Sequence, residues 1–206
     1  MTGTRVGIFG GTFDPPHVGH LVAAVNVRYE LGLDRVLLVV ANHPWQKVGV
    51  RDISAADDRL AMVQAAVTGI DGVEASAMEI ERGGVSYTAD TLVALSRQQP
   101  GSELFVILGS DAASGLPTWE RVDEVRKLAT IVVVERPGTV EWTAPDGWSW
   151  RRIEVPRLEV SSTDLRARVR DQRPLDFLLT PAVIDCIRGR GLYGHGAAEA
   201  GVKAAL

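Results

Sequence analysis

The sequence predicts an α/β fold, a doubly wound parallel sheet in a single domain, and three observations carry that expectation. Four runs, RVGIF (5–9), RVLLVV (35–40), LFVIL (104–108) and TIVVVE (130–135), are apolar without alternation, as strands buried on both faces are. The stretches between them space their apolar residues helically, so strand and helix alternate along the chain. The 206 residues, 46% of them apolar with a mean hydropathy of +0.06, amount to about one domain with a sizeable core.

Taken in order, the 5–9 strand runs into Gly10 and Gly11, and a helix is expected from about His17 to Gly32. Its apolar positions Val18, Leu21, Val22, Val25 and Tyr29 share one face. After the 35–40 strand and a polar loop, Leu60, Val63, Val67 and Ile70 mark a second helix, with Ser54 as its N-cap. A helix from about Thr88 to Arg97 precedes the 104–108 strand, and a short helical stretch around 120–128 leads to the 130–135 strand. RRIEVP (151–156) reads as a weaker strand. SSTDLRARVR and TPAVIDCIRGRG read as two closing helices, the second opened by Thr180-Pro181 and stopped by the glycines at 189 and 191. Residues 138–150, GTVEWTAPDGWSW, break the pattern and read as a surface insertion whose indoles offer a contact surface. The low-complexity stretch 195–206 is expected to be a disordered tail beyond a domain at 1–194.

A net charge of −4 and a pI near 5.6 argue against binding nucleic-acid polymers or acidic membrane surfaces. An anionic ligand therefore needs a local site. No apolar run reaches the ~20 residues of a membrane span, and no signal-peptide pattern opens the chain. Cys186 is the sole cysteine, which fits a reducing cytoplasm. A homo-oligomer is left open.

The chemistry concentrates in two stretches. In VGIFGGTFDPPHVGHL (6–21), Gly10 and Gly11 end the first strand, where backbone N–H groups can approach an anion. His17 and His20 follow at the positive end of a helix, three residues apart on one face. That end favours neutral imidazoles until phosphate arrives. A metal half-site and a plain glycine turn are the competing readings. The stretch lacks G-x-G-x-x-G and the G-K-[ST] of a phosphate loop. Asp14 reads as ordering its turn with Pro15. In EVSSTDLRARV (159–169), Ser161 or Ser162 reads as an N-cap with Asp164 in the first turn. By itself this is a capped helix with a solvated basic face. Beside the first stretch, its hydroxyls and Arg166 can hold the far end of a triphosphate.

GGTFDPPHVGH together with SSTDLR resembles the paired signatures of the nucleotidylyltransferase superfamily, H-x-G-H near the start and I-S-S-T-x-x-R near the end. GGVSYTADTL (83–92), LGSDAASGLPTW (108–119), VVVERPG (132–138) and GLY (191–193) are similar to the bacterial nicotinate-nucleotide adenylyltransferases within it. The resemblance runs from about Arg5 to Tyr193. It implies a Rossmann-like nucleotidylyltransferase fold and transfer of the adenylyl group of ATP to nicotinate mononucleotide, giving nicotinate adenine dinucleotide and pyrophosphate. The implied ATP site comprises Gly10, Gly11, Thr12, Phe13, His17, His20, Gly109, Asp111, Ser161, Ser162, Thr163 and Arg166, with His17, His20 and Arg166 catalytic. Mg²⁺ bridges the phosphates, and no protein metal ligand is assigned. The implied mononucleotide site comprises Lys47, Tyr87, Thr88, Trp119 and Arg136, with Trp119 stacked on the ring and N–H groups at Thr88 receiving its carboxylate. Several of these residues have plainer readings. Gly109 and Asp111 also read as a capped strand-to-helix turn, Trp119 as a core residue, Tyr87 as packing and Arg136 as a surface charge. The loop NHPWQK (42–47) departs from the family in Trp45 and Gln46 while keeping Lys47. Pantetheine phosphate is the alternative acceptor within the superfamily.

Overall fold

The computed structural model describes residues 3–44, 53–135 and 142–194. Six strands form one sheet: β1 (Arg5–Gly11), β2 (Arg35–Val40), β3 (Val73–Ser76), β4 (Glu103–Gly109), β5 (Ala129–Glu135) and β6 (Trp150–Glu154). Their order is β3-β2-β1-β4-β5-β6, and every neighbouring pair is parallel. The helices are α1 (Val18–Leu31), α2 (Ala56–Val67), α3 (Met78–Arg82), α4 (Thr88–Gln98), α5 (Ser110–Ser114), α6 (Val122–Leu128), α7 (Ser162–Arg170) and α8 (Pro181–Gly189). Among the described residues no helix is long and apolar enough to cross a membrane.

Each apolar run feeds two cores, which is why it shows no alternation. Val36, Leu38 and Val40 of β2 meet α1, α2 and α8 on one face, while Leu37 and Val39 meet Leu92 and Leu95 of α4 on the other. Strand order reverses between β1 and β4, so the chain leaving their carboxyl ends departs to opposite sides and opens a crevice there.

Several expectations need correction. β1 runs two residues beyond Phe9, so Gly10 and Gly11 are strand residues paired with Val39 and Val40, not a glycine turn. α1 buries Leu21, Ala23, Ala24 and Val27, whereas Val25 and Tyr29 are exposed. Apolar residues surround that helix, so the small alanines, which let it approach the sheet closely, choose its face. α2 begins at Ala56 with Ala55 as an N-cap that makes no side-chain bond, in place of the expected Ser54. β3 and α3 are additional elements. β3 is an edge strand with Glu74 and Ser76 on it, so it carries no continuous apolar signal. The tryptophans of the 138–150 stretch are half-buried: Trp142 stands edge-on to Trp150 at 5.5 Å, and both pack with Trp148 against the core around α4 and α6. Trp150 opens β6, so the described part of that stretch finishes the sheet rather than presenting free indoles. The expectations for Trp45, Gln46, Lys47, Arg136 and the 195–206 tail lie outside the described residues.

Candidate active site

The first motif lies at the carboxyl end of β1, on the crevice. A Cβ at Gly11 would come within 2.8 Å of the Phe13 ring, so only glycine lets Phe13 fold back there; at Gly10 the same atom would meet nothing within 4 Å. Phe13 takes φ = 50°, a left-handed conformation costing a non-glycine residue roughly 1–2 kcal/mol. Its ring is 3% exposed, and that burial offsets the strain. The ring stands edge-on to His20 at 5.1 Å, Phe9 does the same at 5.9 Å, and His17 stacks on His20 at 3.7 Å. His20 is therefore held on three sides. His17 is the N-cap of α1, and its backbone N–H donates to Nδ1 of His20 at 3.1 Å. An accepting Nδ1 leaves Nε2 as the nitrogen that carries hydrogen and can donate to a ligand.

The second motif is sewn to the first. Ser161 caps α7 by accepting the Asp164 N–H at 3.2 Å, and the Ser162 hydroxyl donates to the Pro15 carbonyl at 2.8 Å. Arg166 donates through Nη1 to the Asp14 carbonyl at 2.7 Å and through Nη2 to the Thr163 hydroxyl at 3.2 Å. Arg168 beside Asp164 holds that exposed carboxyl below its usual range. The carboxylate of Asp14, read from the sequence as ordering the turn with Pro15, is buried and accepts instead from distant segments, the Tyr193 hydroxyl at 2.7 Å and the Ser54 N–H at 3.5 Å. Burial first, and Asp14 second, push the Tyr193 hydroxyl above the usual tyrosine range.

Two cavities meet over Gly11, Thr12 and Ala112. The larger, about 590 Å³, is lined by Phe13, His17, His20, Gly109, Asp111 and Ser161 through Thr163, with Val155, Pro156 and Leu158 forming an apolar wall. Gly109, not Asp111, is the N-cap of α5, which leaves the exposed Asp111 carboxylate on the cavity. The smaller, about 270 Å³, is lined by Tyr87, Thr88 and Trp119 together with Glu79, Ser86 and Thr91. Gly10, expected among the triphosphate residues, lines this smaller cavity instead, because the strand pleat turns it away from Phe13. Arg166 rims the larger cavity without lining it, its guanidinium being drawn to Asp14. Trp119 is half-buried against the core around α4, and the same residue lines the smaller cavity. Its indole N–H is buried with no acceptor among the described residues. Among those residues, no three His, Cys, Asp or Glu side chains gather as metal ligands.

Arg59 and Glu79 are buried charges that escaped the sequence reading. Arg59, 2% exposed, donates to the carbonyls of Ser54, Thr12, Ala41 and Asn42 at 2.6–3.0 Å, tying the carboxyl ends of β1 and β2 to the approach of α2. Glu79, 6% exposed, accepts the Thr91 hydroxyl at 2.6 Å, and burial pushes its carboxyl above the usual range. Each sits among charged neighbours in the sequence and looks like a surface residue. Only the tertiary partners reveal otherwise.

The chain matches the family model of cytidylyltransferase-like proteins over residues 8–168. A relative from Corynebacterium kroppenstedtii, bearing the name "Probable nicotinate-nucleotide adenylyltransferase", is 44% identical over 192 residues, 92% of this chain and 90% of its own. One of the same name from Saccharopolyspora erythraea is 40% identical over 201 residues, 97% of this chain and 94% of its own. The structure of Plasmodium falciparum nicotinic acid mononucleotide adenylyltransferase complexed with NaAD superposes with a TM-score of 0.76 at 16% identity, covering 94% of this chain and 99% of that one; at that identity the likeness bears on the fold.

Proposed function

The chain belongs to the cytidylyltransferase-like family, and from that premise we propose that it transfers the adenylyl group of ATP to nicotinate mononucleotide, yielding nicotinate adenine dinucleotide and pyrophosphate, a step of NAD biosynthesis. The observation that carries the reading is the meeting of two cavities over Gly11 and Thr12, one edged by two helix N-termini and a histidine pair, the other by an indole and a third helix start. The larger cavity takes ATP. Its phosphates lie by His17, His20 and the start of α7, its base lies against Val155 and Leu158, and Asp111 accepts a ribose hydroxyl. The smaller takes the pyridine ring against Trp119, with the ring carboxylate at the N–H groups of Thr88.

A phosphate oxygen of the mononucleotide attacks the α-phosphorus in line. The bond from that phosphorus to the bridging oxygen breaks, and pyrophosphate leaves with the electron pair. No protein nucleophile takes part, so the protein's contribution is positioning and charge stabilisation. His20 Nε2–H and His17 donate to oxygens that gain charge, while Arg166, the Thr163 hydroxyl and the backbone N–H groups of Ser162 and Thr163 at the start of α7 hold the departing end. Asp14 is committed to Tyr193 and Ser54, which leaves Asp111 as the exposed carboxylate of the cavity. That donor set suits Mg²⁺ entering as part of the nucleotide substrate. A cytoplasmic setting, where ATP is supplied, accords with the single cysteine.

Pyrophosphate release from ATP with nicotinate mononucleotide, nicotinamide mononucleotide and phosphopantetheine tests the reading. Leaving buried N–H donors opposite an amide costs roughly 1–3 kcal/mol each, so the acid is expected to exceed the amide by about 10²-fold in kcat/KM, with phosphopantetheine inert. Equal rates for acid and amide remove the carboxylate pocket. A preference for phosphopantetheine overturns the function.

A further inference from the structure

Glu79 stands in the wall of the smaller cavity, on α3, a helix that no step of the transfer reaction uses. Its Oε1 accepts the Thr91 hydroxyl at 2.6 Å, and the Ser86 side chain lines the same cavity. Ser86 is tied to the end of β2: its Oγ accepts the Asn42 N–H at 2.8 Å, and its own N–H donates to the His43 carbonyl at 3.1 Å. The Asn42 side-chain amide donates to the Gly84 carbonyl at 2.9 Å, and Arg82 reaches Thr91 Oγ1 at 3.4 Å. The end of β2 and the 83–87 loop are thus joined to each other, and the buried carboxyl holds the second turn of α4 beside them.

An apolar side chain would fill that space without the desolvation cost, so what the carboxyl adds is orientation. Between Ser86, held to the end of β2, and Thr91, held by Glu79, lie Tyr87 and Thr88, the N-cap and first residue of α4. Both ends of this short segment are therefore tied down, one by β2 and the other by the Glu79 carboxyl. The Tyr87 carbonyl is occupied by the N–H groups of Asp90 and Thr91, which sets the direction of the first helical turn. We propose that Glu79 is a positioning residue that sets acceptor specificity, fixing through Thr91 the backbone N–H groups at Thr88 that receive the ring carboxylate. The inference rests on the acceptor site assigned above, and it goes further by naming what makes that site selective.

Steady-state kinetics of wild type, Thr91→Val, Thr91→Ser and Glu79→Leu with ATP and both mononucleotides tests it. Thr91→Val keeps shape and removes the donor, so KM for nicotinate mononucleotide should rise roughly tenfold and the acid-over-amide ratio should shrink by a similar factor. KM for ATP should stay within about twofold, since no ATP-side residue touches this network. Thr91→Ser should behave as wild type, and Glu79→Leu, which removes the acceptor, should follow Thr91→Val. An unchanged acceptor KM and acid-over-amide ratio in Thr91→Val overturns this inference alone, as does an equal loss on the ATP side. A wild-type protein that ignores nicotinate mononucleotide overturns both readings together.

Discussion

His20 shows how a residue is prepared before a ligand arrives. Its ring is wedged between Phe9, Phe13 and His17, and its Nδ1 is occupied by a backbone N–H, so one rotamer and one donor nitrogen are selected. Removing a preorganised donor to a developing oxyanion costs on the order of 10²–10³-fold in kcat. His20→Ala should therefore lose that much turnover while losing only about 1–2 kcal/mol of stability from the emptied cage. Turnover and thermal melting of the same sample separate the two effects, and near wild-type kcat in a folded variant would remove His20 from the chemistry. The pair was legible because two histidines beside an apolar strand end have few structural uses. Arg59 was not, because DDRL reads as solvated charge until four carbonyls from distant loops close around it.

Among elements, α7 links the two signatures. Its cap at Ser161 and its hydroxyls at Ser162 and Thr163 follow from local sequence, and they lie where that sequence suggests. What local sequence withheld is the direction of Arg166, which reaches back 152 residues to the Asp14 carbonyl. Arg166→Ala should weaken use of ATP by about 2–3 kcal/mol in kcat/KM, the range for a charge-assisted contact, with the mononucleotide KM nearly unchanged. If the mononucleotide KM alone rises, the two cavities have been assigned the wrong way round. The same contrast explains the fold. Strands buried on both faces announced themselves through unbroken apolar runs, and α4 through a clear amphipathic spacing. β3 did not, because an edge strand shares its side chains with solvent. The face of α1 did not either, because Val25 and Tyr29 on its exposed side dilute the pattern that would have chosen Leu21, Ala24 and Val27.

At the scale of the whole molecule, the chain closes on itself at the site. Tyr193, 179 residues from Asp14, donates its hydroxyl to a carboxylate only 1% exposed, while the same residue's carbonyl holds Arg166. The loop that presents His17 is thus gripped from α7 and from the turn after α8 at once. Tyr193→Phe removes one donor and leaves the buried carboxylate short of a partner, an expected loss of about 1–3 kcal/mol in stability. The pH dependence has a definite sign. Burial, then the Asp14 charge, raise the tyrosine above its usual value of 10.0, so the folded protein holds that proton more tightly than the unfolded chain. The contribution is complete below pH 10.0 and is lost as pH rises toward the folded value, because the unfolded chain releases its proton first. The stability gap between wild type and Tyr193→Phe should therefore narrow as pH is raised above about 10, the ordinary value for tyrosine. Denaturant midpoints of the two proteins, measured in parallel across that range, decide it. A gap that stays constant would mean the hydroxyl is solvated like any surface tyrosine and the grip on Asp14 is absent, and a gap that widens would reverse the assignment of donor and acceptor.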